Sequence, residues 1–164
     1  MKALASRAWI ALGAALVLGA LNVAIVAKER IKRHGEIVYL ALAPVDPRSL
    51  MQGDYMALRF ALAGAIAQHD ESAVDERQEG RVDVATITLD AQRVATLAPR
   101  GASTPLKIRY RIRDGGIWLG TNAFFFEEGS ADRFSAARYG EFRIDADSGE
   151  AVLVGLRDAQ LQPL

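Results

Sequence analysis

The sequence predicts an α+β protein in which one N-terminal transmembrane helix carries a β-rich, mostly antiparallel domain with one or two short helices. Residues 8–27 are apolar and uncharged over about the length that crosses a bilayer as a helix. Most of the remaining chain consists of β-branched and aromatic runs separated by short turn signals, a pattern typical of strands joined through hairpins. A chain of 164 residues has room for one span and one domain of ordinary size.

The predicted span should contact the lipid bilayer through residues 8–27. We therefore expect a short basic N-terminus and membrane anchor at 1–27, a juxtamembrane neck at 28–35 and the β-rich domain at 36–164. Asn22 is the clearly polar side chain inside the span. Its amide either bonds to a partner helix or lies close enough to the far interface to be hydrated, and the sequence leaves both open.

Basic residues flank both ends of the span, so charge alone does not orient it. Counting them keeps the domain in the cytoplasm, because more of them follow the span than precede it. A short basic N-terminus ahead of a single apolar segment is instead typical of an exported domain. The flanking cations are Lys2 and Arg7 before the span, and Lys28, Arg30, Lys32 and Arg33 after it.

The composition argues against several classes of function. Lys and Arg number 20 and Asp and Glu number 20, so no net field attracts nucleic acid. The sequence has no cysteine for a disulfide, a catalytic thiolate or a sulfur-ligated metal. The two histidines, His34 and His69, lie in separate polar stretches without metal-ligand spacing. We therefore expect no nucleic-acid partner, no metal and no cofactor.

Two predicted strands flank a turn-rich segment. Residues 36–47 form an apolar run that proline ends, and residues 54–62 alternate so that one face is much more apolar than the other. Two prolines at the end of the first run and Gly53 ahead of the second favour a sharp turn between them. The apolar face of the second strand consists of Met56, Leu58, Phe60 and Leu62.

Further turns divide the rest of the chain. Glycine-containing turns after Asp114 and after Asp147 predict two hairpins, and the return strand of the first should continue through residues 117–126. Ser130 is a candidate N-cap of a short helix that ends at Gly140.

The strand predicted at residues 106–113 has a basic outer face. Its apolar side chains alternate with four cations, Lys107, Arg109, Arg111 and Arg113. Arginines two apart on a strand point the same way, so this face suits contact with an anionic polymer, a lipid headgroup or an acidic partner. The alternative is a solvated sheet face whose charges pair with acids on the neighbouring strand.

Three consecutive phenylalanines, at residues 124–126, place rings on alternate faces of a strand. Core packing accounts for one of these faces. If the sheet is covered on one side only, Phe125 or its neighbours are exposed, and an exposed ring is typical of a partner contact.

Four acids, Asp54, Glu127, Glu128 and Glu141, form a second candidate site. If they converge, a carboxylate pair suits acid/base chemistry or binds a hard cation. The alternative for Asp54 is a turn residue bonding to its own backbone, because it follows a glycine.

The segment "GDYMALRF" resembles the signature of the bacterial GDYXXLXY protein family, with phenylalanine at the position of the last tyrosine. The resemblance extends to "LAPVDPRSLMQ" before it and to "FFFEEGSADRFSAARYGEFRIDADSGEAVLVGL" near the C-terminus. Phenylalanine has no hydroxyl, so we expect no role at position 60 that needs the tyrosine hydroxyl of the signature. The residues that carry the resemblance are Pro44, Asp46, Pro47, Arg48, Gly53, Asp54, Tyr55, Leu58, Phe60, Glu128, Gly129, Tyr139, Gly140 and Glu141.

The resemblance implies a membrane-anchored bacterial protein whose domain lies outside the cytoplasm, in the periplasm beside the inner membrane. It implies a polytopic inner-membrane protein as partner and implies no reaction. We therefore expect an accessory or interaction subunit of a membrane protein complex. An anionic-ligand-binding module is one alternative.

A second alternative is an anchored serine–lysine hydrolase, since Ser49 precedes a Gly-Asp and a strand in a way loosely similar to signal peptidases. Lys107 is the sole lysine beyond the neck and would be the base. The order Pro-Arg-Ser-Leu-Met departs from the peptidase pattern, which has Ser-Met followed by proline.

Overall fold

The computed structural model describes the backbone of residues 2–43, 51–52, 55–69, 79–99, 102 and 105–164, and their side chains apart from residues 2–8, 11, 51 and 52. It confirms an N-terminal apolar helix followed by a mostly antiparallel, β-rich α+β region. The helices are α1 (Lys2–His34), α2 (Ala61–His69) and α3 (Ala131–Phe134). The strands are β1 (Glu36–Ala41), β2 (Met51–Gln52), β3 (Tyr55–Ala57), β4 (Val82–Leu89), β5 (Ala95–Leu97), β6 (Leu106–Arg113), β7 (Gly116–Trp118), β8 (Ala123–Phe125), β9 (Tyr139–Ile144) and β10 (Ala151–Arg157). Seven predicted site residues lie outside the described residues: Pro44, Asp46, Pro47, Arg48, Ser49, Gly53 and Asp54.

The described strands form three small sheets around one apolar core. Their orders are β1-β9-β10, β2-β3-β8 and β5-β4-β6-β7, with antiparallel neighbours throughout. The chain at β1 links the three sheets, because Tyr39 bridges to Val94 beside β5 and Leu42 bridges to Phe60 beyond β3. The core combines fully buried side chains from all three sheets and the segments beside them, among them Leu40, Leu58, Ile108 and Phe142.

Helix α1 continues beyond the predicted span, through residues 28–34. It is long and apolar enough to cross a membrane over Leu12–His34. The large apolar side chains described between Trp9 and Val26 are exposed, as expected of a surface that faces lipid. The end of the helix packs against β9 and β10, where Ile31 is buried.

Gly35 joins α1 to β1 at a point where no side chain fits. A Cβ there would lie 2.6 Å from the Ile31 carbonyl oxygen and 3.0 Å from the Ile144 carbonyl oxygen. The Gly35 N–H donates to the Ile31 carbonyl at 2.7 Å. One turn earlier, Lys28 forms an ion pair with Glu150 beside β10. The helix therefore meets the domain through packed contacts over its last two turns.

The apolar alternation predicted for residues 54–62 is confirmed, since all four of its large apolar side chains are buried. The predicted strand is too long. Strand β3 ends at Ala57, and α2 begins at Ala61 inside the predicted strand. The sequence "ALAGAIA" is rich in alanine, which favours a helix over a strand, so local propensity ends the extended segment.

The hairpin after Asp114 is confirmed, but its return strand is interrupted. Asp114 and Gly115 both have positive φ, as a two-residue hairpin turn requires. The predicted strand at 117–126 is split into β7 and β8, and β8 pairs with β3. Gly120 bends the chain between them at φ +69°, and a Cβ there would lie 2.9 Å from the Ala151 carbonyl oxygen.

The predicted helix end at Gly140 is wrong. Helix α3 is four residues long and follows Ser130, whose side chain makes no capping hydrogen bond. Gly140 lies within β9, opposite Leu40 of β1. A Cβ at Gly140 would lie 3.0 Å from ring atoms of both Phe60 and Phe142, so its glycine serves close packing.

Candidate functional site

The outer face of β6 carries four exposed cations, Lys107, Arg109, Arg111 and Arg113, which we call the basic face. The predicted alternation is confirmed, because the side chains between them point into the core. The predicted pairing with acids on the neighbouring strand is not formed. In the antiparallel register, Lys107, Arg109 and Arg111 lie opposite Thr86, Val84 and Val82 of β4. Among the described residues, no carboxylate forms an ion pair with these three cations.

A recess of about 290 Å³ opens beside the basic face, between β6, the start of β10 and the end of α1. We call it the basic recess. The turn before β10 approaches β6 closely, since the Arg109 N–H donates to the Gly149 carbonyl at 2.7 Å. A Cβ at Gly149 would lie 3.1 Å from the Arg109 nitrogen, and this glycine also has φ +72°. The charged and aromatic residues that line the recess are Lys28, Arg109, Tyr110, Arg111, Arg113, Trp118 and Glu150.

Arg113 and Trp118 close one side of the basic recess. The Arg113 guanidinium lies over the indole ring at 5.1 Å from its centroid, and the indole N–H donates to the Arg113 carbonyl at 3.1 Å. Asp114 lies 3.8 Å from the Arg113 guanidinium. The same two side chains also line a second recess of about 450 Å³, whose other walls include Leu58, Phe60 and Asn122. The cation–π pair therefore separates the two recesses.

The two sequence blocks that carry the family signature meet inside the core. The Phe60 ring packs edge-to-face on Phe142 of β9, with centroids 5.3 Å apart. Both rings pack against the Cα of Gly140, where a side chain would collide with them, and Leu58 is buried in the same core. A phenylalanine at position 60 therefore serves packing, which needs the ring and no hydroxyl.

A family model described as GDYXXLXY protein matches residues 17–156, which is most of the chain. The chain belongs to the GDYXXLXY family. Neither a curated protein nor a solved structure matches it significantly. Membership therefore confirms the resemblance carried by the motif and assigns no reaction.

An aromatic pair, made of the exposed Phe125 and the half-buried Tyr55, lies on the β3–β8 sheet of this GDYXXLXY protein. Phe125 is 74% exposed, and its ring centroid lies 5.8 Å from that of Tyr55, a signature residue. Phe124 and Phe126 point the other way and pack on Phe134 of α3. The expectation that Phe125 or one of its neighbours is exposed is confirmed for Phe125, and the pair forms a second candidate contact surface.

The acids of the signature do not form a described metal site. Glu141 is 6% exposed and accepts a hydrogen bond from the Arg157 Nε at 2.6 Å. Glu127 and Glu128 are exposed in the loop before α3, where Gly129 has φ +81°. Among the described residues, no group of three His, Asp or Glu side chains is placed to hold a metal ion. Glu141 acts structurally, because its carboxylate is neutralised by Arg157 within the sheet.

The described residues give no support to the hydrolase alternative. Ser49 lies outside them, and Lys107 is exposed on the basic face, whereas a lysine base requires a desolvated environment. The histidines are also exposed: His34 contacts the Arg30 carbonyl at 3.3 Å, and His69 ends α2.

Sequence patterns missed three residues that complete these sites. Lys28 and Glu150 are 122 positions apart and meet only in the folded chain. The position of Trp118 could have been predicted from the sequence, because the turn at Asp114 and Gly115 fixes the register that places Trp118 opposite Arg111.

Proposed function

We propose that this GDYXXLXY protein is an accessory or interaction subunit of a bacterial membrane protein complex. In this proposal α1 crosses the inner membrane and domain 36–164 lies in the periplasm, with a polytopic membrane protein as the partner. The observation that supports it best is the junction of α1 with the domain, where helix and sheet form one continuous surface.

That surface contains an open recess of about 600 Å³, which we call the junction recess. The helix contributes Val23 and Val26 to the apolar lining and Asn22 to the polar lining, and the turn after β9 contributes Asp145 and Ser148. The recess thus runs from lipid-facing side chains to polar groups of the domain. A transmembrane helix of a partner that ends in a polar loop would match this recess, because its surface is apolar within the bilayer and polar above it.

Asn22 lies in the junction recess with one side of its amide satisfied. Its Nδ2 donates to the Leu18 carbonyl of the preceding turn at 2.8 Å. Among the described residues none donates a hydrogen bond to its Oδ1, and Asn22 lines the open recess. A partner helix that donates a hydrogen bond there is favoured, because an unpaired amide in a membrane is costly.

The exposed Phe125 ring, with the half-buried Tyr55 beside it, gives a second contact of the kind that partner surfaces use. Aromatic rings supply large contact areas, and they are enriched in protein interfaces. Because these rings project from a sheet of the domain, the partner would engage both the helix and the domain.

The test is purification of the tagged full-length protein from its native membrane in mild detergent, followed by mass spectrometry of what accompanies it. We expect a polytopic membrane protein in stoichiometric amount. Val26→Trp should fill the junction recess and reduce that recovery at least about tenfold, a loss of about 1.4 kcal/mol of binding. Recovery of this chain alone, under conditions that preserve known complexes, would contradict the proposal.

Ile25→Trp is the matched control. Ile25 and Val26 are neighbours with the same exposure, 65%, but Val26 lines the junction recess and Ile25 does not. Both substitutions add the same ring to the same turn of α1. Equal recovery of the partner with both variants would exclude this recess as the contact.

A further inference from the structure

The basic recess collects cations from two distant parts of the chain. Lys28 comes from α1, and Arg109 and Arg111 come from β6. Glu150 is the acid in its lining, and it is already paired with Lys28. Arg109 and Arg111 form no ion pair with any described carboxylate, so the recess retains positive charge for an anion from outside.

The recess lies at the expected depth of phospholipid headgroups. Lys28 is the first residue after the apolar run that ends at Ala27. Since a helix rises about 1.5 Å per residue, residues 28–34 cover only about 10 Å beyond that run. The headgroup layer adds about 5–7 Å on each side of the hydrocarbon core. The ion pair of Lys28 with Glu150 therefore holds this edge of the domain against the membrane surface.

The surroundings of the cations favour a lipid over a fully hydrated anion. Val82 and Val84 are exposed on β4, directly opposite Arg111 and Arg109. Trp118 lines the same recess, and tryptophan is enriched at membrane interfaces. Arginines two apart on one strand face can both reach a single phosphate, while apolar neighbours contact the glycerol and the first acyl carbons.

We propose that the basic recess binds the phosphate of an anionic phospholipid headgroup, held by Arg109 and Arg111 beside the ion pair of Lys28 with Glu150. This inference rests on the proposed crossing of the membrane by α1, but it does not depend on the protein partner, because it uses a different recess. Binding there orients the domain on the bilayer, since α1 is fixed to it by packed contacts.

The proposal is tested with the full-length protein in detergent, mixed with equal amounts of phosphatidylglycerol and phosphatidylcholine, by native mass spectrometry of bound lipid. We expect several-fold more bound phosphatidylglycerol than phosphatidylcholine. Arg109→Gln combined with Arg111→Gln should remove that preference and bring the ratio of the two bound lipids close to one, because each cation near the surface is worth about fivefold in binding an anionic lipid. Added salt should weaken the preference.

The matched control is Arg59→Gln combined with Lys107→Gln, which removes two exposed cations that do not line the basic recess. It should retain the preference for phosphatidylglycerol. The thermal unfolding of both double variants reports whether they fold. The proposal is overturned if wild type shows no preference, or if both double variants lose it equally.

Two competing occupants have distinct signatures. If inorganic phosphate at millimolar concentration displaces phosphatidylglycerol, the recess is a site for free anions and the lipid assignment is wrong. If lipid preference is absent while the Arg109→Gln/Arg111→Gln variant loses a co-purifying protein, the recess binds an acidic protein surface, and the lipid proposal is again overturned.

Discussion

Two sheets of this GDYXXLXY protein carry charged side chains on their outer faces, and they use them differently. On β9 and β10, Glu141 is buried under Arg157, and on the adjoining β1 Glu36 pairs with Arg93. On β6, by contrast, Arg109 and Arg111 lie opposite valines and form no ion pair with a described acid. These charges on the first sheet are therefore neutralised by ion pairs within the fold, whereas Arg109 and Arg111 on the second have no described acid as a partner.

This difference predicts unequal costs for removing a cation from the two sheets. Arg157→Met should lower the free energy of unfolding by about 3 kcal/mol, because it leaves the buried Glu141 carboxylate uncompensated. Arg111→Met, the matched change on the basic face, should alter it by less than about 0.5 kcal/mol. Chemical denaturation of the full chain in detergent, followed by circular dichroism, measures both. Equal losses of unfolding free energy in the two variants would contradict the claim that only the first sheet needs its cation for stability.

The packed side of β9 should have no room for a single added methyl group. Gly140→Ala should destabilise the domain by about 2 kcal/mol, because its Cβ would lie 3.0 Å from ring atoms of Phe60 and Phe142. Gly155→Ala on β10 is the control, since no atom lies within 4 Å of a Cβ there. The same denaturation experiment compares them. If Gly140→Ala is as mild as Gly155→Ala, the two signature blocks are not packed as described.

The smallest expected effect concerns pH and the turn after β9. Hydrogen bonds from the hydroxyl and the backbone N–H of Ser148 lower the pKa of Asp145 from its usual value of 3.8. A carboxyl with a depressed folded pKa adds stability above its unfolded pKa and loses it as pH falls through the folded value. Wild type should therefore lose slightly more stability between about pH 5 and pH 3 than Asp145→Asn. Parallel pH profiles of the two proteins would contradict this assignment.

Local sequence signals predicted much of the fold. The alternation in 106–113 gave the buried and exposed faces of β6, and the glycine turn at Asp114 gave its hairpin. These features depend on neighbours in sequence, where side-chain period and backbone conformation decide the outcome. The break at Gly120 was missed, because it depends on the close approach of Ala151 from a distant strand.

The candidate sites were less predictable, because they also depend on contacts between residues that are far apart in the sequence. Glu141 and Arg157 belong to adjacent strands, but a register shift between Leu153 and Gly155 decides which residues face each other. The contact between Lys28 and Glu150 joins the N-terminal helix α1 to the last hairpin and leaves no local signal in the sequence. Charge patterns along the sequence therefore identified cations without showing which of them are paired.

The proposed partner contact is tested most directly by site-specific photo-crosslinking in native membranes. A photoreactive amino acid at position 26 faces the junction recess, and one at position 25 lies on the same turn outside it. We predict that position 26 forms a crosslink to a single polytopic membrane protein and that position 25 does so far less. Crosslinks from position 26 to lipid alone, or equal protein crosslinks from both positions, would contradict the account.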